Sequence, residues 1–372
     1  MPLPEIKRLL IVSDIAAPQI NGVVRTIDNT ILQFQKIGID VELLTPGKFK
    51  NIPCPGFPGM RLSLTTSKRI ELIVREINPD AMHIATEGPL GWAARKAALN
   101  NGWQFTTAYH TRYPEYAYAR FGIPTSWIYK LLRKFHSASS VVFAPTPTIK
   151  KNLIQNGFFN VVQWSHGVDH SIYYPRPVQK PINIKEPVFL YVGRLAVEKN
   201  IEAFLSLDLP GHKWVAGVGA LALKLLHKYP SVRFIGLLTQ DGLADLYSQA
   251  DVLVFPSMTD TFGLVMLEAI ACGLPVAAFP APGPLDVIGD SAAGVLDQNL
   301  QRACIKALRL SRAHALERAS EFSWESAMQC MADQLVWLKN PSPDEIFDQA
   351  SARLDSRSAK SLYSSAVATK TL

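Results

Sequence analysis

Cysteine is scarce in this chain. Only Cys54, Cys272, Cys304 and Cys330 occur among 372 residues, and none forms a C-x-x-C pair. A disulfide framework is thereby excluded, and a reducing compartment is expected. Long apolar runs are also missing. A membrane-spanning helix needs about 18 or more consecutive apolar residues. The most apolar stretch, Trp214 to Leu226, is shorter and carries Lys224. The N-terminus, Met1-Pro2-Leu3-Pro4-Glu5-Ile6-Lys7-Arg8, lacks the apolar region of a secretory signal, so a cytoplasmic location is expected. The first strand-to-helix loop, Ser13 to Gly22, lacks the G-x-G-x-x-G fingerprint, so no nicotinamide cofactor is expected there. Acidic residues are the minority, 31 against 38 Lys and Arg, which leaves a net charge of +7. That excess suits an anionic partner such as a nucleotide or a phospholipid surface. No nucleic-acid-binding motif accompanies it, and no nucleic acid is expected.

What is present is ample core material: 48% of residues are apolar and 19% charged. Short β-branched runs alternate with helical patterns. Leu9–Ser13, Val41–Thr45, Ala81–Ile84, Phe105–Tyr109 and Val141–Ala144 read as strands apolar on both faces, as buried parallel strands are. A Pro-rich segment, Tyr173 to Pro181, reads as a linker. The pattern then restarts with Phe189–Gly193, Lys213–Gly217, Arg233–Gly236, Val252–Pro256, Val276–Phe279 and Gly294–Asp297. The expected architecture is α/β, with two Rossmann-like doubly wound domains at residues 1–175 and 183–322. A last helix is expected over Ser323–Lys339, within 323–340, and a Ser-rich flexible tail over 341–372.

Four loops carry candidate chemistry. Strand Val252–Pro256 runs into a polar loop, Ser257 to Phe262, and then an apolar helix from about Gly263. Its N-terminus offers free N–H groups that suit a phosphate. Asp260 and Glu268 lie eight residues apart, about 12 Å along a helix. That separation is wider than a glycosidase carboxylate pair and suits a grip on opposite ends of an extended ligand. An N-cap aspartate and a helix-surface glutamate would give the same spacing. Gly193-Arg194-Leu195-Ala196-Val197-Glu198-Lys199 follows another strand, and Arg194 and Lys199 could flank a diphosphate or simply be solvated. Gly22 could let backbone approach a ligand. His110, after strand Phe105–Tyr109, could handle a proton or serve as a structural histidine.

Taken together these stretches resemble glycosyltransferase family 4, the retaining transferases of GT-B architecture, in which two Rossmann-like domains face a cleft. The tract Asp260 to Glu268 is similar to that family's Glu, seven residues, Glu motif, with Asp in the first place. Ala269-Ile270-Ala271-Cys272-Gly273-Leu274-Pro275-Val276, Asn21-Gly22-Val23, Gly167-Val168-Asp169 and Phe322-Ser323-Trp324-Glu325 match as well, over roughly residues 8–338. Ile20-Asn21-Gly22-Val23-Val24-Arg25-Thr26, His83 to Gly91 and Ala108-Tyr109-His110-Thr111 are nearest in feel to bacterial α-mannosyltransferases and to sulfolipid and glycolipid synthases.

The resemblance implies transfer of a hexose, mannose among the candidates, from a GDP- or UDP-hexose to a lipid or glycan acceptor. It implies no cofactor and no metal. Arg194 and Lys199 would hold the diphosphate, and Gly22 would close against it. Backbone at Phe262, Gly263 and Leu264 would contact sugar and phosphate. Asp260 would bind sugar hydroxyls, Glu268 the ribose, and His110 the transferred sugar. Three departures stand out. Gly217-Val218-Gly219-Ala220 replaces the family's Gly-Asp-Gly-Pro beside the donor site. The tract from Phe234 to Asp241 is short. His166 stands where close relatives carry Arg. Two other readings stay open: a degenerate member that scaffolds on glycan or membrane, and a nucleotide-sugar epimerase.

The stretch Tyr109–His136 holds Arg112, Arg120, Lys130, Arg133 and Lys134 against Glu115 alone, interleaved with Tyr113, Tyr116, Tyr118, Phe121, Trp127, Tyr129 and Phe135. This composition suits peripheral contact with an anionic membrane. Ile128, Leu131, Leu132 and Phe135 at helical spacing also suit an amphipathic helix docked on its own sheet.

Overall fold

The computed structural model describes residues 6–19, 21–54, 61–177, 180 and 184–339. The expected tail lies outside the described residues, as do Ile20 and parts of the linker.

Two six-stranded parallel sheets form. The first contains β1 (Arg8–Val12) and β2 (Asp40–Leu44), then, past a small antiparallel hairpin of β3 (Asn51–Pro53) and β4 (Arg61–Ser63), β5 (Ala81–Ile84), β6 (Thr106–Ala108), β7 (Val141–Ala144) and β8 (Val161–Gln163). Its order is β2-β1-β5-β6-β7-β8. The second contains β9 (Val188–Val192), β10 (His212–Ala216), β11 (Arg233–Gly236), β12 (Val252–Phe255), β13 (Val276–Ala278) and β14 (Gly294–Leu296), ordered β11-β10-β9-β12-β13-β14.

The nearly unbroken apolar character of the central strands β1 and β9 has a direct cause. On β1, Leu10 and Val12 enter one buried cluster while Leu9 and Ile11 enter another on the opposite face. On β9, Val188, Leu190 and Val192 face one core, and Phe189 and Tyr191 the other. Helices cover both faces, so no position is left for a polar residue to alternate. In each sheet the strand order reverses beside the first strand, between β1 and β5 and between β9 and β12. Ligands of doubly wound sheets bind in the crevice beyond the strand ends at that point. The loops after β1, β5, β9 and β12 all open there.

The C-terminal residues return to the first sheet. Helix Trp324–Ala332 is capped by Ser323, whose Oγ accepts from Ser326 N at 3.1 Å. It packs Trp324, Ala327, Met328 and Met331 against Leu9, Ile11 and Trp164. Trp164 Nε1 donates to Ala327 O at 3.0 Å. The helix ends at Ala332 rather than Lys339. Beyond it the chain turns so that Leu338 enters the cluster of Trp103 and Phe105, with its N–H on Asp80 O at 2.7 Å. Tertiary docking here overrides a local periodicity that would have continued the helix. The hairpin β3–β4 and strand β8 were not foreseen, since segments of three residues carry too little pattern.

The basic stretch folds as helices Tyr113–Phe121 and Thr125–His136. The inward stripe of the second is Tyr129, Leu132, Phe135 and His136. Leu131 is half exposed, so the expected stripe is shifted by buried Tyr129, whose hydroxyl donates to the partly buried Glu115 and Asn152.

Trp164→Ala removes a fully buried indole and the bond to Ala327. A loss of about 3–5 kcal/mol is expected in urea unfolding. A change below about 1 kcal/mol would show that the C-terminal helix is not held by this contact.

Candidate active site

The loop after β9 is fixed by backbone. Leu195 N donates to Val218 O and Leu221 N to Leu195 O, both at 3.0 Å. Tyr191 Oη donates to Arg194 O at 2.8 Å. Gly217, at φ 137°, lies so near Gly193 that a Cβ would stand 2.0 Å from its carbonyl oxygen. The turn that departs from the family pattern therefore keeps the glycine its close approach requires. Val218 and Ala220 leave those backbone contacts in place.

The loop after β12 is stitched to the first. Asn200 Nδ2 donates to Pro256 O at 3.1 Å, and Thr259 Oγ1 to Glu198 O at 3.0 Å. Lys199 Nζ pairs with Asp260, and the two side chains are 19% and 16% exposed. Burial works against both charges, but each outweighs that cost for the other. The carboxyl of Asp260 is lowered from its ordinary range, and the ammonium of Lys199 is raised. Arg194 pairs with Glu198 at 3.0 Å and is 40% exposed. Asp260 is thus no helix cap. The cap of helix Leu264–Ala271 is Gly263, at φ 92°, where a Cβ would strike Met266 Cε at 2.6 Å. Without a capping side chain, the first N–H groups of the helix remain available to a ligand. The ring of Phe262 turns inward onto His166, 4.8 Å between centroids, which leaves only its backbone toward the crevice.

The first sheet supplies the facing wall. Asn21 caps helix Gly22–Lys36, its Oδ1 accepting from Val24 N at 3.0 Å. A Cβ on Gly22 would sit 3.9 Å from Leu264 Cδ1, so Gly22 lies against the start of the opposite helix. Thr261 Oγ1 donates to His110 O at 2.8 Å. The ring of His110 stacks on His166 and meets Trp164 edge-on, with centroids 6.3 and 6.0 Å away. Burial, with His136 nearby, pushes His110 down to about 4, and burial pushes His83 and His166 down to about 3. All three rings are neutral at pH 7, so His110 acts there as a hydrogen-bonding group and not as a cation. His166 is a buried packing residue among Trp164, Phe262 and Trp324.

Glu268 lies one turn into the apolar helix Leu264–Ala271, 7% exposed. It is paired with Arg25 and accepts from Tyr247 Oη at 2.9 Å. The structure therefore brings Gly22, His110, Arg194, Lys199, Asp260, Gly263, Leu264 and Glu268 to one crevice. Three partners were not foreseen. Arg25 was visible in the Asn21-to-Thr26 motif but carried no assigned partner. Tyr247 sits on another helix with no motif around it. Asp14, after β1, is fully buried. It takes Leu90 N at 2.7 Å, Gly91 N at 3.1 Å and Thr86 Oγ1 at 2.9 Å, tying the β1 loop to the start of helix Pro89–Asn101. Burial raises its carboxyl, and those N–H groups partly offset the rise. Its position after Ser13 at a strand end was the available signal.

Two doubly wound sheets with a cationic loop, a helix start without a capping side chain and ion-paired carboxylates at their facing switch points have the architecture of a GT-B glycosyltransferase. Comparison with known proteins agrees. The family described as Glycosyltransferase Family 4 matches residues 20–172, and Glycosyl transferases group 1 matches residues 186–310. A sulfoquinovosyl transferase of Arabidopsis thaliana is 30% identical over 74% of this chain, which spans 60% of that enzyme's length. A GDP-mannose-dependent alpha-mannosyltransferase of Mycobacterium tuberculosis is 27% identical over 78% of this chain and 83% of its own. The sucrose-phosphate synthase of Thermosynechococcus elongatus superposes with a TM-score of 0.73 at 20% identity, covering 88% of this chain and 98% of that one. The chain belongs to glycosyltransferase family 4.

The neutral histidines set a pH dependence of stability. His83, His166 and His110 stay unprotonated in the fold down to about 3, 3 and 4, whereas unfolded histidine binds a proton near 6.5. Below that pH the unfolded chain binds more protons, so stability is fully present above about 6.5 and is lost as pH falls toward 4. Each buried ring contributes at most about 1.4 kcal/mol per pH unit in that window. Urea midpoints between pH 7.5 and 4.5 should fall accordingly, and a flat profile would contradict the burial of these rings.

Proposed function

We propose that this transferase moves a hexose, with mannose the first candidate, from a GDP- or UDP-linked donor to a lipid or glycan acceptor with retention at the anomeric carbon. The observation that carries the reading is the pair of stitched loops, Arg194–Lys199 and Asp260–Leu264, at a switch point facing Gly22 and His110. The GDP-mannose dependence of the Mycobacterium tuberculosis relative supports a nucleotide-linked hexose donor.

In this reading Arg194 and Lys199 hold the diphosphate, with the N–H groups at Gly263 and Leu264 and the approach of Gly22. Lys199 already has Asp260 as a partner, so donor binding places the phosphate beside a cation whose charge is secure. Asp260 accepts from sugar hydroxyls, Glu268 from the ribose diol, and neutral His110 bonds the sugar near its reacting carbon. The bond from the anomeric carbon to the phosphate oxygen breaks. A bond to the acceptor hydroxyl forms on the same face, and the acceptor proton passes to the departing phosphate. Catalysis then rests on orientation and on stabilisation of the leaving diphosphate by fixed positive charge. We assign that charge to Arg194, Lys199 and the helix N-terminus, so turnover is expected to survive EDTA. The intact backbone at Gly193 and Gly217 supports the transferase reading over a binding-only scaffold.

Phe121, Trp127, Tyr118 and Leu131 are exposed next to Lys130, Arg133 and Lys134. This amphipathic, basic face suits peripheral contact with an anionic membrane that delivers a lipid acceptor. No helix among the described residues is long and apolar enough to cross a membrane.

A thermal-shift screen with GDP, UDP and ADP, with and without EDTA, tests the donor reading. One nucleotide at a hundredfold excess over its Kd should add about 2.7 kcal/mol of stability. No shift with any of them would move the scaffold reading to first place. For the membrane face, phosphatidylglycerol vesicles should sediment the wild type, and Trp127→Ala with Lys130→Ala should abolish this. Equal sedimentation with neutral phosphatidylcholine vesicles would remove the electrostatic part of the proposal.

A further inference from the structure

Two arginines from the first sheet's side reach across the crevice to the segment that carries Asp260 and Glu268. Arg25, one turn into helix Gly22–Lys36, donates to Glu268 Oε1. Arg112, just ahead of helix Tyr113–Phe121, donates from Nη1 to Met258 O at 3.0 Å, two residues before Asp260. The segment is thus gripped at both ends by the opposite half of the molecule. Both side chains are enclosed, 22% and 11% exposed. Arg112 is itself aimed by Glu115, 2.8 Å from its Nη2, and that carboxylate also accepts from Tyr129 Oη at 3.0 Å.

Glu268 needs this grip. Burying a carboxylate this deeply is costly unless a charge partner or several hydrogen bonds compensate it. Tyr247 gives it one hydrogen bond and no charge. Arg25 gives the charge. Burial works against the Arg25 guanidinium, yet Glu268 outweighs it and raises its pKa. Each carboxylate oxygen has two acceptor positions. With one donor from Arg25 and one from Tyr247, Glu268 keeps capacity for a ligand diol. The ion pair and a ligand at Glu268 therefore reinforce one another.

We propose that Arg25 and Arg112 are positioning residues that make closure of the crevice and assembly of the donor segment a single event. The ligand side of this proposal rests on the donor reading above, and neither arginine has to touch the donor. An internal control exists in the same interface. Thr148 Oγ1 donates to Asp286 Oδ1 at 2.9 Å across the crevice, on helix Pro282–Val287 and on no residue of the Asp260–Glu268 segment.

The experiment uses the full chain in two assays, calorimetric titration with GDP and with UDP, and small-angle scattering without ligand. Arg25→Ala should weaken nucleotide binding at least tenfold, and Arg25→Lys should restore most of it. In the Glu268→Gln background, Arg25→Ala should cost nothing further. Ligand-free Arg25→Ala and Arg112→Ala should scatter with a larger radius of gyration than wild type, at unchanged circular dichroism. Thr148→Val should leave nucleotide affinity within about twofold. Unchanged or tighter binding by Arg25→Ala would overturn the proposal, because tighter binding means Arg25 competes with the ligand. An equal loss in Thr148→Val would overturn it too, as general loosening of the interface. Should wild type bind neither nucleotide, the donor reading fails, and the scattering arm alone decides the clamp: an unchanged radius in both arginine variants overturns it.

Discussion

A charge enclosed by protein has to be answered by an opposite charge or by hydrogen bonds, and the crevice of this transferase is laid out by that requirement. Asp14 is answered by the N–H groups that open a helix. Lys199 and Asp260 answer each other, and so do Arg25 and Glu268. Glu87, 5% exposed, lies 3.2 Å from His136 Nε2. Each answer joins segments distant in sequence. The polar contacts therefore decide which loops stand beside which, while the apolar clusters decide only that the sheets form.

The two halves contribute different materials to the shared space. The second sheet gives charged side chains and an uncapped helix start. The first gives close backbone at Gly22 and an aromatic backing of Trp164 and His166 behind His110. Low polarity around His110 keeps it uncharged. Beside a diphosphate, a cationic ring would be drawn to the phosphate, whereas a neutral one is free to bond a sugar hydroxyl. The same enclosure that makes the histidines costly at low pH thus suits the role assigned to one of them.

How much of this could be read in advance depended on whether the signal was local. Strands buried on both faces were legible, because burial on two sides erases polar alternation over four or five residues. The loop at Asp260 was legible because a strand, a polar turn and an apolar helix adjoin. The partner of Glu268 was not, since Arg25 lies 243 positions away and no periodicity spans that distance. Asp14 and Leu90, 76 positions apart, were hidden for the same reason. The end of the last helix escaped because Leu335 and Trp337 continue a helical spacing that the docking of Leu338 overrules. In helix Thr125–His136 a tyrosine with two hydrogen-bond partners counts as core, and a pattern that treats hydroxyls as polar misplaces the stripe.

The return of the C-terminal residues to the first sheet bears on the order in which the molecule is made. Trp324, Met328 and Met331 complete the face that carries Leu9, Ile11 and Trp164, and Leu338 closes the cluster around Trp103 and Phe105. A ribosome delivers the first sheet well before it delivers these side chains. Until then that face presents uncovered apolar surface to the cell, although every strand of its sheet has already emerged. The part of the chain synthesised first is therefore among the last to finish folding, and for that interval its protection falls to chaperones or to the speed of translation.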